Sequence, residues 1–424
     1  MKKFLAFGCV VMLVLAASAQ DTLTVMHYNL LAYGNFTSYC TSTNNNPNQK
    51  DGYIKTIVKY VEPDIFTVNE MSSSSTYQSR LLNNALNVDG VTKYKRASIS
   101  NVAGSDIVNM IYYNSEKLSL KQTYVAQSNL RDIDIFKLYL TKSNFTTEDT
   151  IYIYCMVAHL KAGNTQSDET QRGQMAQGAM AYYKKHFEPA NFMVMGDFNL
   201  YTYLEPAYQN FTNFAYAEYS FNDPVKREGK WNNNSSFKDV HTQSTHTSGE
   251  CFSSGGMDDR FDFILASDAI IKGQQAVKYI PGSYWALGQD GQHYNKALLD
   301  QPQNTTVPTD VLSALYQNSD HLPVMLKLLV DKSLPVEESP QFKYISLTNP
   351  VHEAIDIRLS NPSSHQITCK VFNCNGQQLI QRTYLSNDGL YSIQLPVSTL
   401  IPGLYLLQVI DEHGSSANRK IIVQ

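Results

Sequence analysis

A carboxylate and a carboxamide follow a short apolar run near the middle of the chain. The run Phe192–Met195 has the composition of a buried strand, and Gly196 allows the backbone to turn where that strand ends. Asp197 and Asn199 come directly after the turn, so both side chains would face one cleft at the edge of a sheet. This pair suits a phosphate site. The alternative is an Asx turn, in which both side chains cap nearby backbone groups.

Other polar side chains also stand at the ends of apolar runs. Asn29 and Glu70 end two predicted strands separated by one predicted helix, so neighbouring strands would bring the two residues side by side. His159 ends a further predicted strand. Taken singly, each is an ordinary surface residue. Together they predict a polar site at one edge of a mixed α/β fold.

Asp262 lies on one face of a strand that is otherwise apolar. Because a buried unpaired carboxylate is costly, Asp262 is expected to be paired or functional. Asp320 and His321 stand immediately before another apolar run. Asp262 is a natural orienter for His321, since a carboxylate at one ring nitrogen fixes the tautomer of the imidazole.

Candidate substrate contacts surround the central turn. A helix is predicted from Asp168 to His186, with Arg172 on the face opposite its apolar residues, and Lys161 precedes this helix. Arg172, Lys161 and Asn199 are the predicted substrate-binding residues. Four tyrosines beyond the turn either stack on nucleic-acid bases or pack near the surface: Tyr201, Tyr203, Tyr208 and Tyr216.

The composition indicates a folded protein of more than one domain. The chain has 424 residues, of which 43% are hydrophobic and 17% charged, and this excludes general disorder. The formal net charge of −4 provides no global basic field. A polyanionic partner would therefore be held by a local patch or through a metal ion.

Residues 1–19 have the pattern of a secretory signal peptide. Lys2 and Lys3 precede an apolar run, and Ala17–Ala19 forms an A-x-A cleavage site. The protein is expected to pass through the periplasm and to be secreted or held at the cell surface. No later segment supplies the roughly 20 apolar residues of a membrane-spanning helix, so no stable membrane span is expected.

The cysteines indicate an oxidising compartment and do not indicate zinc. Five remain after signal cleavage, and none form a C-x-x-C motif: Cys40, Cys155, Cys251, Cys369 and Cys374. Export permits a disulfide, for which Cys40 with Cys251 is one pairing. Cys155 lies within an apolar run and is expected to be a buried hydrophobic residue.

A second domain follows the first. Residues 331–340 are acidic and contain two prolines, which is typical of a linker. From residue 341 to 424, short β-type runs alternate with turn signals such as Asn375-Gly376. This pattern predicts a small all-β sandwich.

The motifs of residues 20–330 resemble those of the endonuclease/exonuclease/phosphatase superfamily, which includes deoxyribonuclease I, neutral sphingomyelinases and inositol polyphosphate phosphatases. They occur in the order of that family, each at a strand end: Asn29, Glu70, His159, Asp197 with Asn199, Asp262, and Asp320 with His321. The resemblance implies a four-layered α/β sandwich, with two mixed sheets packed face to face and helices outside. It also implies metal-dependent attack of water on a phosphoester.

The resemblance further implies roles for these residues. Glu70 would bind Mg²⁺ or Mn²⁺, with Asn29 and Asp320 as ligands or orienters. Asp197 would position or deprotonate the water, and Asn199 would hold a phosphate oxygen. The remaining three would act on the phosphate or in acid–base catalysis: His159, His321 and its partner Asp262.

The C-terminal segment resembles the sorting domain of cargo exported by the type IX secretion machinery. Its marks are spread over residues 341–424: Asn361-Pro362, Gly376, Gly403, Tyr405 and Lys420–Val423. A carbohydrate-binding or adhesion sandwich is the alternative, which is less favoured because Trp231 and Trp285 both lie in the first domain.

These features predict a secreted metal-dependent phosphoesterase, and within that class a nuclease acting on extracellular nucleic acid. A sphingomyelinase or a sugar- or inositol-phosphate phosphatase of the same fold is the alternative substrate class. A cell-surface binding protein without catalysis is the alternative of a different kind, but the complete set of polar motif residues argues against it.

Overall fold

The computed structural model describes residues 21–141, 150–330, 344–360, 365–373, 375–386, 390–412 and 416–424. The predicted signal peptide, the predicted linker and the Asn361-Pro362 mark lie outside the described residues. The chain divides into two compact units between residues 335 and 336.

The first unit contains two sheets and six α-helices within its described residues. Its strands are β1 (Asp21–Tyr33), β2 (Ile65–Ser72), β3 (Tyr94–Arg96), β4 (Ile107–Asn114), β5 (Leu118–Gln127), β6 (Ile133–Leu140), β7 (Tyr152–His159), β8 (Phe192–Asp197), β9 (Phe221–Asn222), β10 (Asp262–Ser267), β11 (Val277–Tyr279), β12 (Trp285–Ala286) and β13 (Val324–Val330). Its helices are α1 (Pro47–Val61), α2 (Ser75–Leu81), α3 (Gln166–His186), α4 (Pro206–Thr212), α5 (Asp268–Lys272) and α6 (Thr309–Asn318).

Both sheets are mixed. The first has the order β11-β13-β1-β2-β4-β3, with β12 also paired to β13, and the second has the order β5-β6-β7-β8-β10-β9. Parallel pairing joins β1 to β2 and β7 to β8, whereas the other pairs are antiparallel. This arrangement confirms the four-layered α/β sandwich that the family resemblance implied.

Successive side chains along the central strands point alternately into two different apolar cores. In β7, Cys155 and Val157 lie in the core that the two sheets share, whereas Met156 and Ala158 lie in a second core that contains Met175 of α3. Strands buried on both faces read as continuous apolar runs, which explains the composition of β7 and β8. Helices α1 and α6 contribute to the shared cluster from the outside of the first sheet.

The second unit is all β within its described residues. Its strands are β14 (Tyr344–Leu347), β15 (Ala354–Ser360), β16 (Gln366–Phe372), β17 (Gln378–Leu385), β18 (Leu390–Pro396), β19 (Gly403–Asp411) and β20 (Ser416–Val423). They form the sheets β14-β15-β18 and β17-β16-β19-β20. Alternate residues of both sheets, such as Ile355 and Ile357 of β15 and Leu407 and Val409 of β19, fill one apolar core.

Cys40 and Cys251 form a disulfide across 211 residues. This pair packs in a small apolar cluster with Leu31, Ala32 and Phe252. Cys155 is a buried free cysteine, as the sequence predicted. Among the described residues, no helix combines the length and the apolar character needed to cross a membrane.

Candidate active site

Strand register brings three of the predicted residues together at one end of the inner strands of the second sheet. Asp197 ends β8, where it pairs with His159 of the parallel strand β7 and with Asp262 of the antiparallel strand β10. All three side chains are buried. Paired Cα atoms on neighbouring strands are about 5 Å apart. His159 and Asp262 therefore flank Asp197 on either side.

The first sheet faces this row with Asn29 and Glu70. The Asn29 amide donates to Oε1 of Glu70 and to Oδ2 of Asp197, each at 3.0 Å. Oδ1 of Asn29 accepts from the backbone N–H of Leu31 at 2.9 Å. Both functional ends of Asn29 are therefore engaged, and the side chain orients two carboxylates from opposite sheets.

Two histidines approach the same oxygen of Asp197. Nε2 of His159 lies 3.6 Å and Nε2 of His321 lies 3.7 Å from Oδ2 of Asp197. His159 Nε2 is also 3.8 Å from Oε1 of Glu70. On its other side, His321 places Nδ1 2.7 Å from Oδ2 of Asp262, the contact that the sequence predicted.

The environments of the two histidines move their pKa values in opposite directions. Burial, and then the positive Arg131, hold the pKa of His159 well below its ordinary value. Burial also disfavours the charged form of His321, but Asp262 and Asp197 outweigh it and raise the pKa of His321 well above its ordinary value. Burial raises the pKa of Asp197 to about 7, and His321 opposes this rise. A neutral imidazole and an imidazolium thus flank one carboxyl group.

The residues present fit a divalent cation. The ligand atoms of Glu70, His159 and Asp197 all lie within 4.8 Å of one another. Oδ1 of Asp320 is buried without a hydrogen-bond partner, while Oδ2 accepts from the Ser253 N–H at 2.9 Å. Carboxylate oxygens suit Mg²⁺, and a set that includes an imidazole also suits Mn²⁺.

Arg172 does not lie where the sequence pattern placed it. Its side chain is 1% exposed, and its guanidinium forms a 2.6 Å ion pair with Glu205 and donates to the backbone carbonyls of Lys161 and Gly163. The expectation that Arg172 occupies the helix face opposite the apolar one is therefore wrong. The physical reason is helical spacing: Arg172 is three residues before Met175 and seven before Ala179, so it shares their buried face, where Glu205 pairs with it.

The other two predicted substrate contacts have local partners. Nζ of Lys161 lies 2.7 Å from Oδ1 of Asp168 at the start of α3. Asn199 has a left-handed backbone, with φ of 51°, and its N–H donates to Oδ1 of Asp197 at 3.0 Å. The Asx turn is therefore present, and it leaves Oδ2 of Asp197 facing the histidines. Tyr208 packs against Trp231 and is buried, while Tyr216 is exposed.

Two residues near the site were missed by sequence reasoning. Arg131 donates to the backbone carbonyls of His159 and Leu160, and Glu70 and Asp197 partly offset the effect of burial, which lowers its pKa. Arg131 precedes β6, so the strand-end rule applied to the start of an antiparallel strand would have found it. The Gln243 amide lies 2.7 Å from His321 Nε2 and 3.3 Å from Asp320. It comes from an irregular segment that gave no signal.

Comparison with known proteins adds one family match. Residues 348–424 match the family model described as the secretion system C-terminal sorting domain. The type IX sorting domain that the sequence predicted is thereby confirmed, and it implies export to the cell surface or beyond. No curated protein is significantly similar to the chain in sequence.

Several solved structures are similar in fold. An endonuclease/exonuclease/phosphatase from Beutenbergia cavernae DSM 12333 is 13% identical, with 95% of this chain and 99% of that chain covered and a TM-score of 0.45. TDP2 of D. rerio, complexed with a single strand DNA product, is 14% identical over 73% of this chain and 99% of that chain, with a TM-score of 0.45. The human Nocturnin catalytic domain is 14% identical over 73% of this chain and 97% of that chain, with a TM-score of 0.40.

Proposed function

We propose that the first unit is a metal-dependent phosphoesterase that hydrolyses phosphodiester bonds of extracellular nucleic acid. The observation that carries this proposal is the convergence on Oδ2 of Asp197, which meets the Asn29 amide and the Nε2 atoms of His159 and His321. Hydrolysis of a phosphoester needs a proton acceptor for water and a proton donor for the leaving oxygen. The two histidines supply that pair.

The divalent cation would be held by Glu70 and Asp197, with Asp320, whose Oδ1 is buried without a hydrogen-bond partner, as a further carboxylate. When bound, Mg²⁺ or Mn²⁺ would polarise the phosphoryl group and make a bound water more acidic. Asn29 supports this set by fixing the carboxylates of Glu70 and Asp197 at its two amide hydrogens. It acts as an orienter, which is one of the two roles that the resemblance implied for it.

The two histidines would then carry out the two proton transfers. His159, held neutral by burial and Arg131, accepts the proton of the attacking water at Nε2. Water oxygen bonds to phosphorus as the ester bond breaks, and the leaving oxygen receives the proton of His321. Asp262 keeps that proton available, because its negative charge stabilises the imidazolium.

Cationic and amide groups beside the histidines would hold the substrate phosphate. Arg131 donates to the carbonyl of His159 and interacts electrostatically with Glu70 and Asp197, and Asn199 donates to Asp197 from the turn. For Arg172 we propose a positioning role in place of substrate contact, since Glu205 and two carbonyls occupy its guanidinium. The second unit would serve export and take no part in hydrolysis.

A substrate panel tests the proposal. The purified protein is incubated with Mg²⁺ or Mn²⁺ and with plasmid DNA, RNA, sphingomyelin or simple phosphate monoesters. Cleavage of DNA or RNA that a chelator abolishes is expected. Cleavage of sphingomyelin or of monoesters alone would reassign the substrate, and no metal-dependent cleavage of any substrate would favour a binding protein.

A control variant tests whether a loss of activity is specific to the site. His159→Asn should lose at least about 100-fold in rate, which is the scale of losing a positioned acid–base group. Asp89→Asn changes a half-exposed carboxylate that pairs with Lys55 and Lys59, neither of them a site residue, and should retain wild-type activity.

A further inference from the structure

Two consecutive residues after Asn29 adopt a backbone conformation that side chains other than glycine rarely occupy. Leu31 and Ala32 have φ values of 46° and 50°. Each residue uses its N–H at the site: Leu31 donates to Oδ1 of Asn29 and Ala32 donates to Oε2 of Glu70, both at 2.9 Å. Such strained backbone persists only where the surroundings hold it.

The opposite side of this turn is held by two buried polar side chains. Nζ of Lys50 donates to the carbonyl oxygen of Leu31 at 3.1 Å, and Nδ2 of Asn45 donates to the carbonyl oxygens of Leu31 and Ala32 at 3.0 and 3.1 Å. Lys50 also donates to Oδ1 of Asn45 at 2.9 Å. The exposed fractions are 2% for Lys50 and 3% for Asn45.

One peptide group connects the two sides. The carbonyl of Leu31 and the N–H of Ala32 belong to the same planar unit, in which oxygen and hydrogen point in opposite directions. Lys50 and Asn45 bind the oxygen end, and Glu70 binds the hydrogen end. Two donors at the carbonyl therefore fix the direction of the N–H and polarise it toward the carboxylate.

We propose that Lys50 and Asn45 are positioning residues of the metal site, which act on Glu70 through the peptide group between Leu31 and Ala32. Lys50 extends this role to the other side of the site, since Nζ also donates to the carbonyl oxygen of Asn318 at 2.6 Å, two residues before Asp320. This inference rests on the proposed function, because it assumes that Glu70 binds the cation.

Mn²⁺ affinity of the full chain, measured by calorimetric titration, tests this role without any substrate. Asn45→Asp keeps the size of the side chain and a partner for Lys50 but removes the two donors to the turn. It should weaken Mn²⁺ binding at least about tenfold, the scale reported for groups that orient metal ligands. Lys50→Met, which takes a donor from three buried acceptors, should weaken binding by at least as much, and cooperative thermal unfolding checks that the variant is folded.

The matched control is Asn304→Asp. Asn304 is 4% exposed and donates to the carbonyl oxygen of Gly288 at 2.6 Å, so it braces a different loop in the same way. Its substitution should leave Mn²⁺ affinity within about twofold of wild type. Wild-type affinity in Asn45→Asp, or an equal loss in Asn304→Asp, would overturn the inference and leave the proposed function standing. Absence of Mn²⁺ binding by the wild-type protein would overturn both.

Discussion

Nδ1 of His321 lies 2.7 Å from Oδ2 of Asp262, although the two residues are 59 positions apart and both are buried. The ring is therefore held from the side opposite to Asp197, and its Nε2 faces Asp197 and the Gln243 amide. This contact connects β10 of the second sheet to the start of β13 in the first. The dyad thus depends on how the two sheets pack.

Asp262→Asn should shift the pH dependence of hydrolysis. The negative charge of Asp262 raises the pKa of His321, so its removal lowers that pKa and the imidazolium loses its proton at lower pH. Because the proposed acid is the protonated form, the alkaline limb of the pH–rate profile should move to lower pH. Mn²⁺ affinity should change little. A profile that overlays the wild type, or activity restored by extra metal, would assign Asp262 to another role.

Glu70→Gln and Asp197→Ala should each abolish most of the hydrolysis. Each change removes a charged oxygen from the proposed cation set, and the expected loss is at least about 3 kcal/mol of barrier, or about 100-fold in rate. Thermal unfolding in the presence of a chelator should show that both variants are folded. Near wild-type rates in either variant would remove that residue from the site.

Arg172→Met should destabilise the protein without raising KM in the folded fraction. The substitution leaves Glu205 buried without its partner, and breaking such a pair costs about 3–5 kcal/mol of unfolding free energy. Urea unfolding measures that loss, and the double variant Arg172→Met with Glu205→Met should recover part of it. Unchanged stability with a raised KM would instead restore Arg172 to the substrate-binding residues.

Asp134→Asn should change how stability depends on pH. Burial raises the pKa of Asp134 to about 7, so between about pH 4 and pH 7 the folded chain keeps a proton that the unfolded chain has released. The contribution of this group to stability is therefore largest in acid and falls as the pH rises through that window. The variant should lack this slope and be more stable than wild type at pH 8, by about 1–4 kcal/mol. Parallel stability curves for the two proteins would contradict the assignment.

A chain that ends at Val330 should fold and hydrolyse substrate as the full chain does. The two units have separate apolar cores, so the first has what it needs to fold alone. Far-ultraviolet circular dichroism and the same substrate panel measure this. A folded but weakly active truncated chain would make the second unit a substrate-binding module.

Sequence reasoning found the residues that end strands, and it failed where a contact joins residues that are far apart in the chain. Asp197, His159 and Asp262 were predictable because apolar runs define strands and register then aligns their ends. The ion pair of Arg172 was not, because helical spacing places Arg172 on the face of Met175 and Ala179 but cannot show that Glu205 is buried beside it. Gln243 and Lys50 were missed for the same reason, since their contacts span 78 residues to His321 and 268 residues to Asn318.

The disulfide makes the structure around the site depend on the compartment in which the protein is found. Cys40 and Cys251 pack on Leu31 and Ala32, and the loop that carries Cys251 also supplies the N–H that binds Asp320. In a reducing cytoplasm the two thiols stay separate, and the covalent link forms only after the chain has left. For an enzyme of the proposed kind, the surroundings of the site are thus completed at a distance from the chromosome of the cell that made it.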